Sequence, residues 1–163
     1  MRKLVLPPTE TDLNELHKGD FVLLSGTLYS ARDAAHARLV ALISDGKPLP
    51  ILIDGQAIYY MGPSPAPPDQ IAGSAGPTTS SRMDKYTPLL LEKGLKVMLG
   101  KGARSEEVAQ AIAAHKAVYL GSIGGAGAYL GKCITSIRCV AFEDLGPEAI
   151  YELTVIDLPA FVL

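Results

Sequence analysis

Short apolar runs alternate with helical segments through the middle of this chain, and that alternation restricts its fold more than any other feature. Residues 97–99 and 117–120 have the length and composition typical of buried strands. Between them, Ser105 can cap a helix whose first turn holds Glu106 and Glu107, where the helix dipole favours acidic side chains. Both ends of the chain are also rich in strand-like residues. The pattern predicts an α/β domain with a mixed sheet flanked by helices.

Length and composition exclude several classes of protein. The 163 residues suit a single domain over residues 1–163, because a content of 48% hydrophobic residues can form a core and 20% charged residues are too few for a disordered chain. A net charge of −2 provides no positive field for nucleic acid or for an anionic membrane. No apolar run is long enough to span a bilayer, and Pro7 and Pro8 interrupt the N-terminus before a signal peptide could form. We therefore expect a cytoplasmic protein.

Turn and capping signals predict the elements of the first third of the chain. Residues 21–29 form the first predicted strand, and Ser30 is the predicted cap of the helix that follows. An Asp-Gly pair at 54–55 predicts a β-hairpin that joins strands at 51–53 and 57–61.

A long loop separates these elements from the rest. Residues 62–76 are rich in proline and glycine and are expected to form no helix or strand. A helix is predicted over residues 79–92, with a kink at Pro88. Two further strands are predicted near the end of the chain, at 137–142 and 149–156.

Residues 76–84 carry the densest group of reactive side chains. They read Gly-Pro-Thr-Thr-Ser-Ser-Arg-Met-Asp, with adjacent hydroxyls from Thr78 onwards and a guanidinium at Arg82. Hydroxyls and the arginine fork are natural donors to oxyanions, and the N-terminus of the predicted helix would add free N–H groups. We interpret this segment as a site for a small carboxylate. The alternative is a surface arginine beside an ordinary helix cap.

Other cations follow predicted strands. Arg32 lies at a strand-to-helix turn, where α/β sheets bind ligands, and His36 shares its helix face. Histidine is suited to proton transfer near neutral pH. In the alternative interpretation Asp33 pairs locally with His36 while Arg38 is solvated. Lys101 stands between two glycines that would let a ligand approach the backbone, although a simple turn would also explain this pattern.

The glycines and cysteines give weaker signals. Residues 121–127 place glycines between a predicted strand and a helix that reaches Ile134, but their spacing does not match the dinucleotide fingerprint. A backbone-amide wall for a carboxylate, or close packing, is favoured over a nucleotide site.

Cys133 and Cys139 are too few to hold a four-iron cluster, which takes three or four thiolates. We expect both to be small buried hydrophobic residues, and we predict no metal site in this chain.

Taken in order, these groups resemble the β part of the iron–sulfur class I fumarases and L(+)-tartrate dehydratases. The resemblance covers nearly the whole chain, and its most specific part is Thr-Thr-Ser-x-Arg-Met-Asp at residues 78–84. The other segments that carry it are 25–26, 32–36, 100–102, 124–126 and 145–151.

The resemblance implies a swivelling β/β/α domain and a hydro-lyase that converts malate to fumarate or tartrate to oxaloacetate. In this family the α part holds a four-iron cluster through three cysteines, either as a separate subunit or as the other half of a longer polypeptide. The implied partners are a cluster-bearing α subunit and a dicarboxylate substrate, in a hetero-oligomer that also allows homodimerisation. The chain is expected to be inactive alone.

The same resemblance implies roles for individual residues. Arg32, Arg82 and Lys101 would bind the substrate, together with Thr79 and His36 in the same substrate-binding set. Thr78 would be the proton-abstracting group, since nearby cations favour the ionised form of a hydroxyl. An acid from the α subunit is the alternative base.

Two other functions compete with this hypothesis. One is a non-catalytic module that binds a dicarboxylate or assists assembly, and the other is a nucleotide-binding domain that uses residues 121–127. The sequence leaves the choice between fumarate and tartrate open, because a single hydroxyl is recognised by only a few pocket contacts.

Overall fold

The computed structural model describes residues 1–123 and 126–163, which form a sheet flanked by helices. The strands within these residues are β1 (Arg2–Leu6), β2 (Phe21–Ser30), β3 (Ala57–Tyr59), β4 (Val97–Gly100), β5 (Val118–Ser122), β6 (Ile134–Ala141) and β7 (Ile150–Val162). The helices are α1 (Glu10–Asn14), α2 (Asp33–Ser44), α3 (Thr87–Glu92), α4 (Glu106–Ala114) and α5 (Gly127–Lys132). Two short segments are 3₁₀-helical, at Ser80–Met83 and Glu143–Glu148.

The sheet is mixed, as predicted. Its strand order is β1-β2-β3-β4-β5-β7-β6, and the neighbours from β1 to β5 are parallel. The long strand β7 runs antiparallel to β5 and β6, and it also pairs antiparallel with β2 from Phe21↔Phe161 to Ser30↔Tyr151. The pairings therefore form a closed circuit through β2, β3, β4, β5 and β7. Alternation of strands and helices along the sequence does not predict this closure.

Both faces of the sheet are covered by apolar packing. In β3, Ala57 and Tyr59 belong to one buried cluster and Ile58 belongs to the other, because successive side chains of a strand point to opposite faces. The second cluster includes Leu39 of α2 and Leu90 of α3, so these helices pack over the face that carries Ile58. None of the described helices has the length and apolar character that crossing a bilayer requires.

The predicted hairpin is wrong. Residues 51–53 form no strand, and the strand that follows is limited to Ala57–Tyr59. Both of its edges are taken by parallel neighbours, β2 and β4, so no edge is left for a hairpin partner. The Asp-Gly pair still forms a turn, and the Gly55 amide donates to the Gly94 carbonyl at 2.8 Å.

The predicted Ser30 cap is also wrong. Ser30 is the last residue of β2, and Arg32 occupies the cap position without a capping side-chain hydrogen bond. Asp33 does lie in the first turn of α2, as expected from the helix dipole.

The helix predicted over residues 79–92 is interrupted. The 3₁₀ segment ends at Met83, and α3 begins only at Thr87. Pro88 stands in the first turn of α3, where its missing N–H needs no partner, so it starts a helix and does not kink one.

The helix that was predicted to reach Ile134 is shorter than expected, because Ile134 is the first residue of β6. The strand β1 and the helix α1 were not predicted.

Candidate functional site

The predicted site residues lie at the edge where parallel strands end. Arg32 follows the end of β2, and Lys101 follows the end of β4. Between these two strands, Tyr60 follows β3, and its carbonyl accepts a hydrogen bond from the Thr78 amide at 2.6 Å. Because ligands bind at the carboxyl ends of the strands in α/β sheets, this edge is the candidate site.

The hydroxyl-rich segment is joined to Lys101 through the backbone. Thr79 and Lys101 form a parallel β-bridge, and the Ser80 amide donates to the Lys101 carbonyl at 2.9 Å. The side chains of Thr79 and Lys101 are exposed, whereas Ser80 is buried. Gly100 permits this approach, because a Cβ there would collide with Ser80 Oγ. The structure therefore brings Thr79 and Lys101 together on the accessible side of the site.

An ion pair connects the same segment to α2. Arg82 Nη2 donates to Asp33 Oδ2, and the two side chains are 50% and 31% exposed. Asp33 thus pairs with Arg82 and not with His36, and Arg38 pairs with Asp144 on the surface. This contact places Arg82 beside Asp33, the first residue of α2, which follows Arg32 in the sequence.

Arg82 lies in a four-residue 3₁₀ segment, not in the first turn of an α-helix. The helix N-terminus that the sequence suggested as a source of extra donors is therefore not formed at this position. Hydrogen-bond donors to an anion here would come from side chains, chiefly the exposed guanidinium of Arg82 and the ammonium of Lys101.

Several buried polar atoms cluster where β2 meets α2. They are Ser30 Oγ, Arg32 Nε, Asp33 Oδ1 and His36 Nε2, and none has a hydrogen-bond partner among the described residues. Buried polar atoms in native proteins are nearly always paired, so four unpaired atoms within seven residues are unusual. Arg32 Nε carries a hydrogen-bond donor, and the other three atoms can accept.

His36 lies in the interior. Its ring has no exposed surface, and Nδ1 lies 2.8 Å from the Arg32 carbonyl. A carbonyl can only accept, so the proton resides on Nδ1 and Nε2 keeps a free lone pair. Burial lowers the pKa of His36 from 6.5 to about 4, so the ring is neutral at pH 7. Its observed contact is with the backbone of Arg32, and the role of His36 in substrate binding stays a prediction.

A buried cation behind the site escaped the sequence analysis. The side chain of Arg104 is only 3% exposed, and its Nε donates to Asp84 Oδ1 at 2.7 Å. Its Nη2 donates to Thr87 Oγ1 at 2.9 Å and to the Tyr60 hydroxyl at 3.2 Å. The guanidinium carbon also lies 4.9 Å from the ring centre of Tyr119. The nearest hint in the sequence was Asp84, since a carboxylate that becomes buried needs a cation as its partner.

Tyr119 links this network to the accessible edge. Its hydroxyl lies 2.6 Å from the Gly102 carbonyl and 2.8 Å from Ser80 Oγ. Because the carbonyl can only accept, the tyrosine proton goes to Gly102 and Ser80 donates its own proton to Tyr119. The residues that directly follow Thr79 and Lys101 are thereby held by Tyr119.

The cysteines do not form a metal centre in the described residues. Cys133 is buried and Cys139 is exposed, so the expectation that both are buried is wrong for Cys139. The described residues contain no group of three His, Cys, Asp or Glu side chains placed to hold a metal ion. The side chains present therefore do not fit a four-iron cluster.

Part of the predicted glycine loop, Gly124 and Gly125, lies outside the described residues. At its ends the backbone is closely packed: a Cβ on Gly121 would meet Leu163, and one on Gly127 would meet Ser74. Close packing was one of the two interpretations that the sequence favoured for this loop.

Comparison with known proteins gives a consistent result. The model of the family described as "Fumarase C-terminus" matches residues 2–163. "Fumarate hydratase class I, anaerobic" of Escherichia coli (strain K12) is 48% identical over 142 residues, which are 86% of this chain and 26% of that protein. "Fumarate hydratase 2" of Leishmania major is 43% identical over 153 residues, or 93% of this chain and 27% of that protein. This chain therefore spans about a quarter of the length of these relatives.

A shorter relative is covered along most of its length. The "Putative L(+)-tartrate dehydratase subunit beta" of Methanocaldococcus jannaschii is 32% identical over 152 residues, which are 90% of this chain and 78% of that protein.

Proposed function

Because the chain belongs to the Fumarase C-terminus family, we propose that it is the β-type part of a hydro-lyase that reversibly dehydrates a hydroxy-dicarboxylate. The proposed reaction is malate to fumarate or tartrate to oxaloacetate. In this proposal residues 1–163 form one domain of the swivelling β/β/α type.

The observation that carries the proposal is the arrangement of cations along one edge of the sheet. Lys101 is joined to the hydroxyl segment by the bridge to Thr79, and Arg82 is joined to the start of α2 by Asp33. Arg32 stands beside Asp33 with a buried Nε that has no partner among the described residues. A dicarboxylate carries two negative charges, and several fixed cations are needed to neutralise both when water is excluded.

Within this arrangement each residue has a proposed task. Arg32, Arg82 and Lys101 bind the carboxylates, and the exposed Thr79 hydroxyl donates to one of them. The single hydrogen bond from Nδ1 of His36 to the Arg32 carbonyl supports Arg32 from inside.

Thr78 is the proposed proton-abstracting group. Its amide is held by the Tyr60 carbonyl, and its side chain is half-buried beside the cationic edge. Positive charge nearby favours the ionised hydroxyl, which would accept the proton from the carbon next to a carboxylate. Negative charge then grows on that carboxylate, where Arg82 and Lys101 stabilise it.

Groups beyond this chain complete the proposed enzyme. The side chains described here do not fit a four-iron cluster, so we propose that the cluster belongs to an α part, in a separate subunit or elsewhere in a longer polypeptide. That cluster would act as a Lewis acid when bound. We further propose a hetero-oligomer of the two parts.

The test is the Arg82→Ala variant in the complex of this chain with its cluster-bearing part. We expect conversion of malate or tartrate to fall at least about hundredfold, because charge-assisted hydrogen bonds to the substrate are lost. Arg38→Ala is the matched control: this arginine is also paired with an aspartate, but its partner is Asp144 and not Asp33, and activity should be unchanged. Unchanged turnover in Arg82→Ala would contradict the proposal.

A second candidate function is a non-catalytic dicarboxylate-binding or assembly module. The observation that favours it is that this chain itself carries the hydroxyl-rich segment and the cationic side chains of Arg82 and Lys101. Calorimetric titration of the chain with malate, followed by an activity assay of the complex, separates the two functions. Binding without turnover in the wild-type complex would favour the module.

A further inference from the structure

Arg104 connects, through separate contacts, the segments that carry the proposed substrate ligands. It donates to the hydroxyl of Tyr60, and the carbonyl of that same residue holds the Thr78 amide. It pairs with Asp84, which follows the 3₁₀ segment that contains Arg82. One buried guanidinium therefore reaches the structure on both sides of the hydroxyl-rich segment.

A third path runs through an aromatic ring. The guanidinium of Arg104 lies over Tyr119, whose hydroxyl contacts Ser80 Oγ and the Gly102 carbonyl. Ser80 and Gly102 are the immediate neighbours of Thr79 and Lys101. The stack of Arg104 on Tyr119 therefore contacts the residue that follows each partner of the Thr79–Lys101 bridge.

Stability alone does not explain a buried cation at this place. Taking a guanidinium out of water is costly, and well-packed apolar side chains can often replace a buried ion pair without loss of stability. What an apolar side chain or a lysine cannot supply is the planar fork, which reaches Asp84, Thr87 and Tyr60 in fixed directions at once.

We infer that Arg104 is a positioning residue for the candidate site: its fork holds the segment from Thr78 to Arg82 against the strand end that carries Lys101. Arg104 touches no ligand in this role. The inference concerns the geometry of the segment, and its catalytic consequence rests on the function proposed above.

The primary test is Arg104→Lys, which keeps a positive charge beside Asp84 but loses the fork. Hydrogen exchange is measured on the Thr78 and Ser80 amides, whose acceptors are the Tyr60 and Lys101 carbonyls. We expect both amides to exchange about tenfold faster or more, because hydrogen bonds to a charged group are lost beneath them.

One reference amide and one control variant distinguish a local effect on the hydroxyl-rich segment from a general loss of stability. The Ile156 amide of β7, bonded to the Cys133 carbonyl at 2.9 Å, should keep its exchange rate in Arg104→Lys. The matched variant Arg38→Lys changes a surface arginine that also pairs with an aspartate, and it should leave the Thr78 and Ser80 amides unchanged.

Activity of the assembled enzyme provides the second readout. Arg104→Lys should lower kcat about tenfold, since small displacements of reacting groups are costly, and Arg38→Lys should not. An inactive wild-type complex would remove the proposed function, but the exchange measurement would still decide the positioning role. An active wild type with unchanged kcat and unchanged exchange in Arg104→Lys would overturn the positioning role alone.

A uniform rise in exchange, with Ile156 accelerated as much as Ser80, would also overturn it, because Arg104 would then be only a stabilising residue. If Arg104→Lys does not fold, Tyr119→Phe decides the question on the Ser80 amide. That variant keeps the ring under the guanidinium and removes only the hydroxyl. Accelerated exchange at Ser80 supports the inference, and unchanged exchange rejects it.

Discussion

Mild acid should destabilise this protein through one buried imidazole. Burial lowers the pKa of His36 to about 4, whereas the same side chain in the unfolded chain has its ordinary pKa of 6.5. Between these values the unfolded chain binds a proton that the folded protein does not, so stability falls as the pH decreases. The contribution is fully present above pH 6.5 and is lost as the pH falls to about 4.

The size of the effect follows from the difference between the two pKa values. Each tenfold change in a protonation equilibrium corresponds to roughly 1.4 kcal/mol, so the whole interval for His36 is worth about 3 kcal/mol. About 2 kcal/mol of this should already be lost between pH 7 and pH 5. That is a substantial part of the stability of an ordinary domain.

Urea unfolding at pH 7, 6 and 5, followed by far-UV circular dichroism, measures this loss. The informative variant is His36→Asn, since an amide can still donate to the Arg32 carbonyl but cannot take up a proton. Its absolute stability will fall, because a smaller side chain leaves a cavity, but its stability should change little between pH 7 and pH 5. The control is His17→Asn at an exposed position, which should keep the pH dependence of the wild type.

Parallel loss of stability in the wild type and in His36→Asn over this range would refute the reasoning. It would mean that the imidazole is accessible to protons in the folded protein, or that other groups dominate the acid response.

Two further substitutions test the geometry of the site. Gly100→Ala should destabilise the domain by roughly 1–3 kcal/mol in urea unfolding, because the new methyl group would collide with Ser80 Oγ. Gly76→Ala should cost far less, because its methyl group would make only an ordinary contact, with Gly127 Cα at 3.8 Å. Equal stabilities of the two alanine variants would contradict the observed close packing. Asp33→Asn should change the free energy of unfolding by less than about 1 kcal/mol, since its ion pair with Arg82 is partly exposed, and a much larger change would show that the pair is structurally essential.

Elements with a strong local signal were predicted well from the sequence. The strands at β2, β4 and β5 and the capped helix α4 all lie where periodicity and capping residues placed them. Local sequence could not predict which strands pair. The residues at 51–53 resemble a strand, but β3 finds both of its partners elsewhere in the chain.

The candidate site was predicted in outline. The positions of Arg32 and Lys101 after strands follow from the general rule for α/β sheets, and the structure places both at the same edge. The local conformation around Arg82 differed from the prediction, because the chain turns at Met83 before α3 begins. The Arg82–Asp33 contact joins residues far apart in sequence and had no local signal.

By itself, the sequence determined the fold class, the family and the set of side chains that could form a site. The reason is that strand and helix periods, caps and short motifs are properties of neighbouring residues. Only the tertiary structure decided which charged groups face solvent and which are enclosed. Arg82 and Arg104 are the same residue type, yet one side chain is 50% exposed and the other 3%. The physical reason is that burial depends on which distant segments pack over a side chain, and the ring of Tyr119 and the carboxylate of Asp84 reach Arg104 only after the sheet has formed.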